Sequence, residues 1–318
     1  MRFAKDRKTG NLEESYRRAE ILVEALPWIK EATGKTVVIK YGGAAMVDDD
    51  LRRAVMSDIV LLKIIGLNPI IVHGGGTAVS DMMKRLDMPV TFKDGLRVTT
   101  PEAMEIVKQV LVGKVNQELV AAINEHGNIA VGMCGADAHM VEAEQQSPDL
   151  GLVGRVTNVD TTYLEDVINS DYIPVIASVA VGADGRTFYN VNADLVAGEI
   201  AAAIGAHKVV FLTDVDGLYA DFADKNSQIS SLTLTEARAM LDAGELASGM
   251  IPKIEAITTA VGAGVNRAHI LNGTVPHSIL LEVFTDEGIG TMVKREPHDG
   301  FDAPGFETFP VEGVASKL

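Results

Sequence analysis

Two short stretches constrain the fold of this chain more than any other. Thr36-Val37-Val38-Ile39-Lys40-Tyr41-Gly42-Gly43 runs four β-prone residues into a lysine and a glycine pair. Pro69-Ile70-Ile71-Val72-His73-Gly74-Gly75-Gly76 repeats the plan. Each reads as a buried strand ending in a glycine turn, with Lys40 at the carboxyl edge of the first. Glycines let bare backbone N–H groups approach a ligand closely. An amphipathic helix from about Thr77 to Leu86 follows the second turn, and its N-terminus adds partial positive charge there. Glycine is also common in ordinary strand-to-helix turns. Two such turns, one carrying a lysine, favour an anion site. A dinucleotide fingerprint fails on spacing, because Thr77, Ala78 and Val79 follow Gly76 without a further glycine. A Walker A loop fails too: Gly34-Lys35-Thr36 looks like its tail, but Ile29 stands where its first glycine belongs and the strand comes after.

The chain has 318 residues, 47% apolar and 23% charged, which suits one large or two medium globular domains. No apolar run reaches the roughly 18 residues of a membrane span, and the first residues lack a signal-peptide core. A single cysteine, Cys134, excludes an internal disulfide and fits a reducing, cytoplasmic setting. A net charge of -16 argues against nucleic acid or an anionic membrane as partner. An anionic small substrate then has to be met by local lysines, arginines and backbone.

Residues 1–11 are polar, and a helical pattern runs from Leu12 to Ala32. Its apolar stripe includes Ala19, Ile21, Leu22, Leu26 and Ile29, and Pro27 is placed to kink it. Preceding the first core strand, this helix packs either on its own domain or on a partner subunit. Strand 36–40, helix 50–65, strand 69–73 and helix 77–86 then alternate as βαβ units of a mainly parallel sheet. Thr100-Pro101 reads as N-cap and first residue of a long helix reaching about Glu125. From 128 to 189 short β-like pieces at 128–133, 138–144, 152–159, 173–179 and 187–189 suggest antiparallel strands and hairpins near a pocket, with a helix over Thr161 to Asn169. A helix from 190 to about 204, strand 207–212, helices over 233–243 and up to 262, and strands near 267–271 and 278–283 complete a second α/β half. Residues 296–318 read as a tail.

Several polar residues stand out. Asn190 and Asp194 lie four apart at a helix start, where an aspartate is commonly a cap. Between two lysines it could instead orient both, and that organiser role is favoured. Lys253 follows Pro252 where a glycine-containing loop becomes a helix, a poor place for a structural cation and a good one for binding phosphate. Arg97, after the Asp94-Gly95 turn, is either a surface ion-pair partner or a clamp for a carboxylate. Thr213 and Asp214 end a strand, and Asp214 and Asp216 could orient a nucleotide or approach its magnesium; Asp-Gly turns are equally ordinary loop chemistry. His73 can simply pack beneath its turn. No His, Cys and Asp spacing suggests a zinc site, and no Ser-His-Asp set is evident.

Taken in order, Val-Val-Ile-Lys-Tyr-Gly-Gly, Ile-Val-His-Gly-Gly-Gly, Gly-Leu-Arg-Val-Thr, Asn-Val-Asn-Ala-Asp, Leu-Thr-Asp-Val and Gly-Met-Ile-Pro-Lys resemble the amino acid kinase family across residues 12–295. The resemblance implies an αβα sandwich with a mainly parallel central sheet: an N-terminal helical extension (1–34), an amino-acid lobe (35–187), an ATP lobe (188–295) and the tail. It implies phosphorylation of the side-chain carboxylate of N-acetyl-L-glutamate by ATP, in arginine biosynthesis. Lys40 would contact the transferring phosphoryl group, Lys253 the nucleotide phosphates, and Asp194 would orient both. Gly42, Gly43 and Gly75 would bind phosphate, while Gly74, Gly75, Arg97 and Asn190 would hold the amino acid. Thr213 and Asp214 would lie at the nucleotide, and Mg²⁺ would ride mainly on ATP, with no protein side chain as metal ligand. Resemblance to arginine-inhibited members further implies a homohexamer, a trimer of dimers joined through the N-terminal helix, and an arginine effector site at His269, Glu282 and Gly288. Two alternatives remain at this stage: a kinase for a carrier-linked aminoadipate, or a non-catalytic regulatory protein on the same fold. Asp216 in its turn and the long tail depart from the family pattern.

Overall fold

A computed structural model describes residues 12–46, 48–93, 95–221, 223–244, 246–284 and 288–295. The polar start and the tail considered above lie outside them. The chain opens with α1 (Leu12–Glu24) and α2 (Leu26–Ala32), broken at Ala25 just before Pro27. Then come β1 (Thr36–Tyr41), α3 (Asp49–Ile64), β2 (Asn68–His73), α4 (Gly76–Arg85), and a hairpin of β3 (Phe92–Lys93) and β4 (Leu96–Arg97). The long helix is α5 (Pro101–Lys108), a π-helical segment Gln109–Asn116, and α6 (Gln117–Asn124); Thr100 caps it by accepting from the Ala103 N–H. After it come β5 (Ala130–Cys134), β6 (Val141–Gln145), β7 (Gly154–Val159), α7 (Thr162–Asn169), β8 (Ile173–Ala177), β9 (Val179–Val181), β10 (Phe188–Asn190) and α8 (Ala193–Ala203). The chain continues through β11 (Lys208–Thr213), β12 (Leu218–Tyr219), β13 (Gln228–Ile229), β14 (Ser231–Thr233), α9 (Leu234–Ala243), α10 (Ile251–Ala263), β15 (Arg267–Asn272), α11 (Ser278–Phe284) and β16 (Thr291–Lys294).

Among the described residues, eight strands form one sheet in the order β14-β16-β15-β11-β1-β2-β8-β5, parallel throughout except where β15 meets β16. Both faces are covered, which is why its central strands read as continuous apolar runs. The period of two sorts their side chains. Val37, Ile39 and Tyr41 of β1 pack with α3 and the long helix, while Val38 packs with α8 and α10 on the other face. Lys40 therefore leaves β1 on the α8–α10 side, and His73 leaves β2 on the long-helix side.

Three expectations need correction. The pieces at 128–133 and 173–179 are not antiparallel hairpins: β5 and β8 pair in parallel with each other, and β8 with β2, in the main sheet. Only β6, β7, β9 and β10 form a separate four-stranded sheet, mostly antiparallel, beside it. The expected strand at 278–283 is the helix α11, whose Ile279 and Val283 bury one face at a spacing of four. Among the described residues the last strand is β16 instead. Finally, the helix after Asn190 begins at Ala193, leaving Asn190 at the end of β10.

Candidate functional site

Strand order reverses at β1: the chain moves from β1 to β2 on one side and returns to β11 on the other. In open α/β sheets ligands bind beyond the carboxyl ends of strands at such a point. Here a cavity of about 250 Å³ opens, with Lys40, Gly43, Gly75, Arg97, Asn190 and Asp194 among its lining. Gly42 and Gly74 line it as well.

Asp194 stands between two lysines. Lys40 Nζ lies 3.1 Å from its Oδ1, an ion pair off the line of a hydrogen bond, and Lys253 Nζ donates to its Oδ2 at 3.2 Å. Lys40 is 9% exposed and Asp194 5%. Asp194 is free for this because Asn192, not Asp194, caps α8, accepting from the Asp194 N–H at 2.8 Å. Lys253 comes from the first turn of α10, whose N-terminus has no side-chain cap, and it also donates to Gly249 O at 3.2 Å. Two cations thus share one carboxylate, an arrangement suited to drawing in further negative charge.

The glycines bring backbone to the same place. A Cβ on Gly42 would stand 3.0 Å from Lys40 Nζ, and one on Gly75 would stand 2.7 Å from Leu111 Cδ2. Gly75 also precedes α4, so that helix points its unpaired N–H groups out beyond the turn. Arg97 is buried, donates to Gly76 O at 2.7 Å and Ser80 Oγ at 2.6 Å, and stacks over Phe92 with its guanidinium carbon 4.8 Å from the ring centre. Burial pulls its pKa below the ordinary arginine value. Among the described residues no carboxylate pairs with it. Asn190 is oriented by Thr99: that hydroxyl donates to Arg97 O, so its oxygen accepts from Asn190 Nδ2 at 3.1 Å. Asn190 Oδ1 is left as an acceptor for a ligand N–H. Ser178 and Asn192, which also line the cavity, were not apparent from the sequence; the paired asparagines of Asn190-Val191-Asn192 are the signal for the second.

Thr213 ends β11, next to β1, and Asp214 follows it; neither lines this cavity. Thr213 is buried and donates to Asp214 Oδ1 at 3.2 Å. Asp216 is engaged within the protein, accepting from Asn272 Nδ2 at 2.7 Å and from the Tyr219 hydroxyl at 3.1 Å. Among the described residues no group of three or more His, Cys, Asp or Glu is placed to hold a metal, and both oxygens of Asp194 already face lysines. Cys134 is buried, its pKa pushed up to about 11 by burial and by Asp137.

His269, Glu282 and Gly288 form a second cluster. His269 Nδ1 lies 2.6 Å from Glu282 Oε1, and Glu282 Oε2 accepts from the Ile289 N–H at 2.9 Å. Gly288 has φ +54 and sits against that carboxylate. Burial pushes the His269 imidazole below its ordinary pKa, and its Nε2 has no hydrogen-bond partner among the described residues. The α11 helix bearing Glu282 packs on α2 and α3.

Residues 35–272 match the family described as amino acid kinase. Acetylglutamate kinase of Caldanaerobacter subterraneus subsp. tengcongensis is 52% identical over 284 residues, covering 89% of this chain and 95% of that one. Acetylglutamate kinase of Bifidobacterium animalis subsp. lactis is 51% identical over 293 residues, covering 90% and 95%. Among solved structures, N-acetylglutamate synthase from Neisseria gonorrhoeae, complexed with coenzyme A and N-acetyl-glutamate, superposes with a TM-score of 0.76. At 24% identity, over 88% of this chain and 64% of that one, it shares the fold.

Proposed function

The chain belongs to the amino acid kinase family, and on that premise we propose that it transfers the γ-phosphoryl group of ATP to the side-chain carboxylate of N-acetyl-L-glutamate. The products are ADP and N-acetyl-L-glutamyl 5-phosphate, a step of arginine biosynthesis in the cytoplasm. The names of relatives at about half identity support the substrate. The observation that carries the chemistry is Asp194 held between Lys40 and Lys253 at a cavity bounded by two glycine turns.

The attacking carboxylate is already ionised at neutral pH, so no general base is needed. Catalysis is then in-line positioning plus neutralisation of charge. Arg97 pairs with the substrate α-carboxylate, and Asn190 Oδ1 accepts its acetamido N–H. Lys40 contacts the phosphoryl group in transit, with the N–H groups of Gly43 and Gly75 on its oxygens. Lys253 neutralises the leaving phosphates, and Asp194 keeps both ammonium groups aimed at the transfer path. Gly42 leaves room for Lys40, and Gly74 shapes the amino-acid side of the turn. Thr213 and Asp214 flank the nucleotide. The nucleotide enters as its Mg²⁺ complex, whose metal offsets phosphate charge. Residues 35–187 form the amino-acid lobe and 188–295 the nucleotide lobe.

Arginine acts as a feedback effector at the His269–Glu282 cluster, where α11 meets α2. The exposed Ile21, Leu22 and Leu26 of the N-terminal helices are covered by a second copy, joining dimers into a hexamer. Light scattering on a chain lacking residues 1–30 tests that assembly; an unchanged oligomer refutes it. For the reaction itself, coupled measurement of ADP release should show turnover with N-acetyl-L-glutamate and none with L-glutamate. ADP release that ignores the acetylated amino acid refutes the assignment.

A further inference from the structure

Two polar side chains hold the glycine turn after β2 from beneath, and neither lines the cavity. His73 is 0% exposed, and its Nδ1 lies 2.8 Å from Gly74 O. A carbonyl oxygen only accepts, so Nδ1 carries the proton. Nε2 is then a bare acceptor, and Asn116 Nδ2 donates to it at 3.0 Å. The same Nδ2 faces the carbonyls of Val175 at 2.8 Å and Met133 at 3.2 Å. All three neighbours are acceptors, which fixes the carboxamide with its nitrogen toward His73.

The surroundings are shaped for this contact. A Cβ on Gly132 of β5 would stand 2.2 Å from Asn116 Oδ1, so the strand leaves out a side chain where the carboxamide enters. Asn116 closes the π-helical segment, and π turns inside α-helices are frequent at functional positions. The same segment supplies Leu111 and Val115, which press on Gly75.

The consequence follows from peptide geometry. Gly74 C=O and Gly75 N–H belong to one planar trans peptide and point in opposite directions. Two successive glycines impose little orientation of their own. Anchoring Gly74 O beneath the turn therefore aims the Gly75 N–H away from His73, toward the cavity that Gly75 lines. We propose that His73, held as its Nδ1–H tautomer by Asn116, is a positioning residue that sets the Gly74–Gly75 peptide so that the Gly75 N–H faces the transferring phosphoryl group. What that N–H binds rests on the kinase reading; the tautomer lock does not. Burial supports the lock, holding the imidazole pKa down to about 4 and the ring neutral at physiological pH.

The full-length protein provides the test. Long-range ¹H–¹⁵N spectra of the His73 ring should show a neutral Nδ1–H tautomer between about pH 6 and 8, and an Nε2–H ring or an imidazolium there would overturn the proposal. His73→Leu should lower kcat by about 30–100-fold with KM for both substrates changed less than about threefold. His73→Asn places an amide N–H where Nδ1 stands and should recover most of that loss. Equal loss in both variants, or a rise in KM that accounts for the effect, would make His73 merely structural and overturn the proposal. Should His73→Leu not fold, the Asn variant and the ring spectra still decide it. Wild-type protein with no turnover on N-acetyl-L-glutamate would refute the kinase reading, while the spectra would still judge the lock.

Discussion

Replacing Asp194 by asparagine keeps the shape of the site and removes one charge from beneath two lysines. The two contacts, at 3.1 and 3.2 Å, are each worth about 5 kcal/mol of gross attraction at an effective dielectric of about 20. Desolvation of three groups offsets most of that. Breaking a buried ion pair from one side typically costs about 3–5 kcal/mol, because the partner charge is left uncompensated. The lysine side chains retain 11% and 12% exposure, and water at the cavity mouth softens the penalty. Asp194→Asn should therefore destabilise the free protein by about 2–3 kcal/mol in urea unfolding at unchanged m-value. A non-hydrolysable ATP analogue with Mg²⁺ should narrow the gap, since phosphate supplies charge where the carboxylate did. With both lysines off their mark, kcat should fall by about 10²-fold. A variant that unfolds with wild-type midpoint and turns over normally would show that Asp194 organises neither lysine.

Lys40→Ala should lower kcat by about 10²–10³ with a modest change in substrate KM; near-normal kcat in steady-state assays would remove Lys40 from the transfer path. Gly75→Ala should cost about 1–3 kcal/mol, because its Cβ meets Leu111 at 2.7 Å and Val115 at 3.2 Å, whereas Gly74→Ala makes only an ordinary 3.5 Å contact with Ala193. Thermal melts giving the reverse order would contradict the packing described for the turn. Stability should also fall with acid through His73. Its folded pKa of about 4 lies below the unfolded value of about 6.5, so the unfolded chain binds the proton first; the stability present above about pH 6.5 is lost as pH falls toward 4, amounting to about 2 kcal/mol by pH 5. The difference in unfolding free energy between pH 7.5 and 5 should shrink by about that much in His73→Asn, and equal slopes in the two proteins would refute it.

The parts of the molecule legible from sequence are those where local chemistry and tertiary role agree. β1 and β2 announce themselves because a strand covered on both faces is apolar throughout, and their glycine turns mark the edge where the cavity lies. Thr100-Pro101 reads as a helix start because cap and first residue obey local rules. Ser278–Phe284 did not read correctly: an apolar run that short carries too little periodicity to separate strand from helix. The parallel pairing of β5 with β8 is set by the rest of the sheet and leaves no local mark.

The site was legible in the same uneven way. Lys40, Asp194 and Lys253 are far apart in sequence, and each alone reads as ordinary; their motifs in order suggested the grouping that β1, α8 and α10 realise. The helix start after Asn190 was harder to place. The sequence offered Asp194 as the cap, but the chain leaves β10 at Asn190 and α8 starts at Ala193, which makes Asn192 the cap although both asparagines line the cavity. Asn116 gave no signal at all. A polar residue inside a long helix looks like surface until β5 and β8 close over it, and nothing local foretells a π turn.

Hydroxylamine trapping tests the central claim most directly, since an acyl phosphate gives a hydroxamate whereas futile ATP hydrolysis gives none. With ATP, Mg²⁺ and N-acetyl-L-glutamate, the wild-type protein should form hydroxamate, Lys40→Ala should form it at the reduced rate given above, and omitting the acetylated amino acid should abolish it. No hydroxamate from folded protein that binds ATP would contradict the account.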